Sequence, residues 1–135
     1  MAEWVSGLPK GFTDTEPLPP EMVERMCEIR KALPSNRPMA GDIFAGSYSF
    51  GLGSELVWDT AFCIEFEDYP AACLKQRMSE GVIPKAPLYG DICGVHAVDL
   101  PKVKALKFGF PCVDVCLAGT WGLEKTISSV HSLIS

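Results

Sequence analysis

In "KFGFPCVDVCLAG", residues 107–119, Cys112 stands directly after Pro111, between an apolar run and a glycine. The thiolate, not the thiol, is the nucleophile, and a free thiol titrates near about 8.5. A reactive Cys112 therefore needs donors or positive charge close by. Pro111 fixes one backbone torsion immediately before the sulfur, as suits a side chain held out on a loop. The competing roles are metal ligand, disulfide half and buried filler. Cys27, Cys63, Cys73, Cys93, Cys112 and Cys116 form no C-x-x-C pair, and His96 and His131 are isolated. Cys112 and Cys116 have three residues between them and no second pair to complete a zinc set, so no metal is expected. Most of these cysteines are expected to be small core residues.

A second candidate centre is the stretch "DIFAGSYSFGLG", with Gly46, Gly51 and Gly53. Glycines let a turn tighten and let a ligand approach the backbone. The spacing is not G-x-G-x-x-G, so a dinucleotide fingerprint fails. Glu65 follows Asp42 by 23 residues, at the end of the next apolar run. An acid at that place commonly bonds ribose hydroxyls in nucleotide-binding sheets. A glycine turn with a strand-end acid also occurs in α/β domains that bind no nucleoside, and both readings stand at this point.

Positioning such residues requires a sheet. "AGDIFAG", "TAFCIEFE", "APLYGDI" and "VKALKFGF" read as four strands. They alternate with helical stretches, a weak one in "FGLGSELVW" and a firmer one in "PAACLKQRMSEG", bounded by Pro70 and Gly81. That alternation predicts parallel β-α-β units in a three-layer α/β fold. Ligands then bind outside the carboxyl ends of the strands. Upstream, "PPEMVERMCEIRKALP" predicts a helix with Pro20 in its first turn and Pro34 as its stop. Met22, Met26, Ile29 and Leu33 form its apolar stripe. Residues 1–19 read as an extended arm and "PSNRP" as a linker. The expected organisation is an arm and helix over 1–38, a main domain over 39–124 and an irregular tail over 125–135.

The chain has 135 residues, 47% of them hydrophobic, enough for one core. No run of about 18 apolar residues predicts a membrane span. The N-terminus has no basic start followed by an apolar stretch, so an intracellular protein with reduced thiols is expected. The net charge is −5, unlike that of a stand-alone nucleic-acid binder. Lys75 and Arg77, and Lys102, Lys104 and Lys107, read as solvated surface cations.

Taken in order, "DIFAG" (42–46), "IEFEDYPAACLKQ" (64–76), "GDI" (90–92) and "GFPCVDVCLAG" (109–119) resemble the first four motifs of the cytosine-5 DNA methyltransferases. The resemblance spans about residues 40–124. It implies an incomplete Rossmann-like fold that binds S-adenosyl-L-methionine. It implies that Phe44, Ala45, Gly46 and Ser47 surround that cofactor and that Glu65 holds its ribose. Phe66 is an apolar neighbour for the adenine, Asp91, followed by Ile92 in the cofactor-binding set, bonds near its amino group, and Pro111 belongs to the same set. Cys112 is implied as the nucleophile: its thiolate adds to cytosine C6, which makes C5 electron-rich enough to take the methyl group. The partner implied is DNA, with the target base extruded from the helix.

The departures are specific. Tyr48 and Ser49 replace a Gly-Gly pair, Val113 replaces a glutamine, and Cys116 replaces a serine. Tyr48 is expected either to narrow the cofactor pocket or to turn outward. The family's Glu-Asn-Val motif, arginine motif and target-recognition region find no counterpart in the chain. The expectation is thus a truncated methyltransferase, completed by a second subunit or self-associating through an open sheet edge. The alternative is an inactive remnant that binds S-adenosyl-L-methionine or a partner chain.

Overall fold

A computed structural model describes residues 7–109 together with Ser128 and His131. The element order is α1 (Pro20–Lys31), β1 (Met39–Ile43), α2 (Ser49–Ser54), β2 (Asp59–Ile64), α3 (Asp68–Glu80), β3 (Leu88–Tyr89) and β4 (Ala105–Phe108). Two 3-10 turns, Ile92–Gly94 and Ala97–Asp99, lie between β3 and β4. The strands form one all-parallel sheet in the order β3-β2-β1-β4. The α/β class and the parallel sheet agree with the sequence reading, and the arrangement is compatible with an incomplete Rossmann-like fold. None of the helices among the described residues is long and apolar enough to cross a membrane.

The strand register sorts side chains into two faces. Leu88, Cys63, Asp42 and Lys107 are paired across the sheet in one row, and Tyr89, Ile64, Ile43 and Phe108 in the next. Alternation along a strand sends these rows to opposite faces. The first face is covered by Leu74 and Met78 of α3, Met22, Val23 and Met26 of α1, and Leu52 of α2. The second is covered by Ile92, Val95, Leu100 and Val103, from the 3-10 turns and the loop after them. Close packing across β1 and β2 leaves no room at Gly41, where an added Cβ would lie 2.2 Å from Cζ of Phe62.

The helices begin and end where local chemistry dictates. Pro20 occupies the first turn of α1, where its missing N–H costs nothing, and Arg30 and Lys31 complement the carbonyl end. Gly81 closes α3 with φ of 76°, a conformation that favours glycine. The α1 stripe is rotated from expectation. Met22, Val23, Met26 and Cys27 pack on the core, whereas Ile29 is 59% exposed.

Residues 7–18 are not a free arm. Leu8, Phe12 and Leu18 are buried in the first-face core. Full burial of such a side chain contributes roughly 1.5–3 kcal/mol, which offsets part of the cost of ordering the segment. Arg77 clamps the arm from α3, and is therefore buried rather than solvated. It donates from Nη2 to the carbonyls of Asp14 (2.8 Å) and Glu16, and from Nη1 to Glu80 (2.8 Å). The amide of Leu18 donates to the other oxygen of Glu80 at 2.7 Å. Of the tail expected to be irregular, Ser128 and His131 are helical and exposed. A serine costs a helix only a fraction of a kcal/mol, too little to forbid one.

Two glycines of one short helix should respond oppositely to the same change. A Cβ on Gly51 would sit 2.3 Å from the Tyr48 ring and 2.6 Å from Asp42 Oδ2, whereas nothing lies within 4 Å at Gly53. Gly51→Ala is expected to lose about 1–3 kcal/mol by overpacking, and Gly53→Ala to gain about 0.5–1 kcal/mol by helix propensity. Urea unfolding midpoints of the two variants check this.

Candidate functional site

The strand order fixes where a ligand site belongs. From β1 the chain winds outward through β2 and β3, then returns to place β4 on the other side of β1. The winding direction therefore reverses between β1 and β4, and the crevice outside their carboxyl ends is the expected binding place. Gly109, just past β4, donates its amide to the Ile43 carbonyl at 3.1 Å. A Cβ there would meet the Phe44 carbonyl at 3.1 Å, so glycine lets the two strand ends approach.

The turn after β1 is tightly wound. Phe44, Gly46 and Tyr48 have φ of 57°, 54° and 67°. For the two non-glycine residues this region costs of order 1 kcal/mol each and persists only where surroundings enforce it. Two fastenings are visible. Ala45 donates to the Ile64 carbonyl at 3.0 Å, and Gly46 donates to Glu65 Oε2 at 2.6 Å. Glu65 Oε1 accepts from the Glu67 amide at 2.9 Å. A carboxylate offers about four acceptor positions, and among the described residues each oxygen of Glu65, itself buried at 7% exposure, accepts one amide.

The other strand ends come to the same rim. The Glu65 amide donates to the Tyr89 carbonyl at 2.9 Å, which ties β2 to β3 two residues before Asp91. Asp91 is exposed and accepts from the Cys93 amide at 2.9 Å. Ile92 is buried against the second-face core. Phe66 is 66% exposed beside Glu65. Ala45 is buried, and Phe44, Gly46 and Ser47 are half-buried. The sequence-derived residues of the first three motifs thus gather at one end of the sheet. Pro111 and Cys112 lie outside the described residues, as do Val113 and Cys116.

Tyr48 neither narrows a pocket nor turns outward. It is fully buried beneath α2, with its hydroxyl 2.7 Å from Thr60 Oγ1 and donating to Glu55 Oε1 at 3.2 Å. Burial pushes its phenol well above the ordinary range, so it acts as a neutral hydrogen-bonding group. Burial likewise raises the Glu55 carboxyl, opposed mainly by the Arg30 guanidinium 3.6 Å away.

Beside Tyr48 lies a buried ion pair that sequence reasoning missed. Lys107 Nζ is 3.4 Å from Asp42 Oδ2, with both side chains at most 5% exposed. Nζ donates to Ser54 Oγ at 3.1 Å and lies 5.7 Å from the Tyr48 ring centre. Lys107 is therefore a core residue, not a solvated one. Its signal in the sequence was a lysine inside the apolar run "ALKF" and an aspartate inside "GDIF" at matching strand depth. Burial holds the Asp42 carboxyl above its ordinary range, and the attraction of Lys107 offsets this only in part. The neighbouring Cys63 thiol is pushed up to about 12 by burial and by Asp42. It is an inert core thiol, as the sequence suggested for most of the cysteines.

Comparison with protein-family models finds no match, and comparison with curated proteins finds none either.

Two predictions follow from the pair. Lys107→Met strands a buried carboxyl that must take up a proton, at an expected loss of about 3 kcal/mol. The double change Asp42→Leu with Lys107→Met restores most of that, since apolar replacements of buried pairs are near neutral; thermal unfolding measures both. Because folding raises the pKa of Asp42, the folded state binds the extra proton as pH climbs from the unfolded value of 3.8. The stability of the wild type relative to Asp42→Asn should therefore fall as pH rises above about 4, and denaturation midpoints across that range check the sign.

Proposed function

We propose that the chain is an S-adenosyl-L-methionine-binding methyltransferase domain of the cytosine-5 DNA type, with Cys112 as its nucleophile. The observation that carries the reading is the Gly46–Glu65 bond at the β1–β4 crevice. It sets a glycine turn beside a carboxylate, each oxygen of which accepts one backbone amide among the described residues. Those are the groups that a nucleoside needs: backbone close approach and acceptors for two ribose hydroxyls. Phe66, exposed next to them, offers a ring for an adenine face, and Asp91 offers an acceptor for an exocyclic amine.

S-adenosyl-L-methionine, when bound, supplies an electrophilic methyl group on a sulfonium. The chain's own part begins with Glu65 and the 44–47 turn, which orient the nucleoside. The Cys112 thiolate then adds to cytosine C6, and its electron pair passes into the ring and makes C5 nucleophilic. After methylation a base removes the C5 proton, and the returning electron pair expels the thiolate. The carboxylate that would assist at cytosine N3 is assigned to none of these 135 residues.

Calorimetry should show one S-adenosyl-L-methionine bound per chain. Glu65→Gln should weaken binding about ten-fold or more, by removing the charge and opposing the Gly46 amide. Phe66→Ala should weaken it a few-fold through lost ring contact, without touching the core. DNA carrying 5-fluorocytosine should trap a covalent adduct, because fluorine cannot leave as the proton does, and Cys112→Ser should abolish the adduct. Absence of S-adenosyl-L-methionine binding would sink the proposal. Binding without an adduct would leave a cofactor-binding chain that performs no methylation.

A further inference from the structure

Among the described residues, the second face of the sheet is covered by 3-10 turns and loop rather than by an α-helix. Between that cover and β4 lies a hollow of about 540 Å3, a volume typical of small-molecule sites. Phe62, Leu106 and Phe108 line it from the sheet, and Leu100 and Val103 from the loop. Two cations, Lys102 and Lys104, stand in the same lining, and none of the described acids does. Asp99, the acid nearest along the chain, is not among the lining residues.

The lysines define what the hollow would take. They flank Val103, which packs into the second-face core, and both are exposed. Neither has an ion-pair partner among the described residues, whereas Arg30, Arg37, Arg77 and Lys107 are each paired. In a chain of net charge −5, two unpaired ammonium groups in one apolar hollow reverse the sign of their surroundings. The walls gain from an apolar body and the lysines from an anion. A neutral apolar ligand leaves the lysines unused. A polyanion brings further charges that an acidic chain repels. One ligand class meets both demands: a single-chain amphiphile with one anionic headgroup. The lysine end also lies away from the β1–β4 crevice. The Lys104 amide donates to the Met39 carbonyl at 2.9 Å, at the amino end of β1, roughly 13 Å of strand from the carboxyl end. We propose that this hollow binds a fatty-acid-class anionic amphiphile, with its chain against Phe62, Leu106 and Phe108 and its carboxylate between Lys102 and Lys104. The site is separate from that of the proposed cofactor.

Dodecanoate, kept below its micelle concentration, is titrated into the full chain and followed by amide chemical shifts. Saturating shifts are expected at residues 97–108, with one ligand per chain. Dodecyltrimethylammonium, of equal chain length and opposite charge, should bind at least ten-fold more weakly. Lys102→Glu and Lys104→Glu should each weaken dodecanoate about ten-fold, and the two lysine-to-arginine changes should leave it within about three-fold. Ala97→Trp, at an exposed lining position, should fill the hollow and abolish binding with unchanged circular dichroism. Calorimetric binding of S-adenosyl-L-methionine should be the same in the wild type and every variant, so failure here and failure of the cofactor reading are told apart. Equal affinity for the two amphiphiles would overturn the proposal, as would shifts outside residues 97–108 or no saturable shifts at all. Affinity unmoved by the charge reversals would overturn it too. So would an oligothymidylate that binds these residues more tightly than dodecanoate, which would assign the lysines to nucleic acid.

Discussion

The architecture turns on the junction of β1 and β4. These two strands are adjacent in space yet separated by the whole β2–α3–β3 excursion, and Asp42 and Lys107 meet across their seam in register. A buried ion pair contributes little net stability, because desolvation cancels most of the attraction. Its importance is directional. A slip of β4 by one residue would turn Lys107 away from Asp42 to the opposite face, where Ile43, Ile64 and Phe108 pack. The pair therefore fixes the register at the one place where the sheet reverses its winding. The crevice at the carboxyl end inherits its shape from that register.

The same junction explains why Tyr48 stands where a glycine would be simpler. The ring fills the space between the ion pair and α2, and Gly51 is bare so that α2 can lie on it. Tyr48, Lys107, Ser54, Thr60 and Glu55 then satisfy one another's polar groups around that ring. The positive φ of Tyr48 is the conformational cost of turning the ring inward, and its hydroxyl bonds help to offset it. On the solvent side of the same turn, Gly46 hands its amide to Glu65. The turn is thus pinned on both sides, by a buried phenol below and a carboxylate above.

Much of the scaffold was legible in the residues. Pro20, Pro34 and Gly81 bound their helices through local backbone chemistry, and the four apolar runs are the four strands. The gathering of Gly46, Glu65 and Asp91 at one rim followed from parallel topology, which sends every strand's carboxyl end the same way. What escaped were the decisions made by distant partners. Arg77 looked like a surface cation because its carbonyl acceptors, Asp14 and Glu16, lie some sixty residues upstream. Lys107 looked solvated because its counter-charge sits on another strand. The arm looked extended because Leu8, Phe12 and Leu18 have no local period, and their order comes from a core built by other elements.

Gly41 and Phe62 carry a consequence for how this chain can drift. The ring of Phe62 occupies the volume that any side chain at position 41 would claim. Enlarging residue 41 first collides with the ring, and shrinking residue 62 first opens a void in the sheet face. Neither step is neutral alone, so these two sites are expected to change together or not at all, in whatever lineage carries this fold.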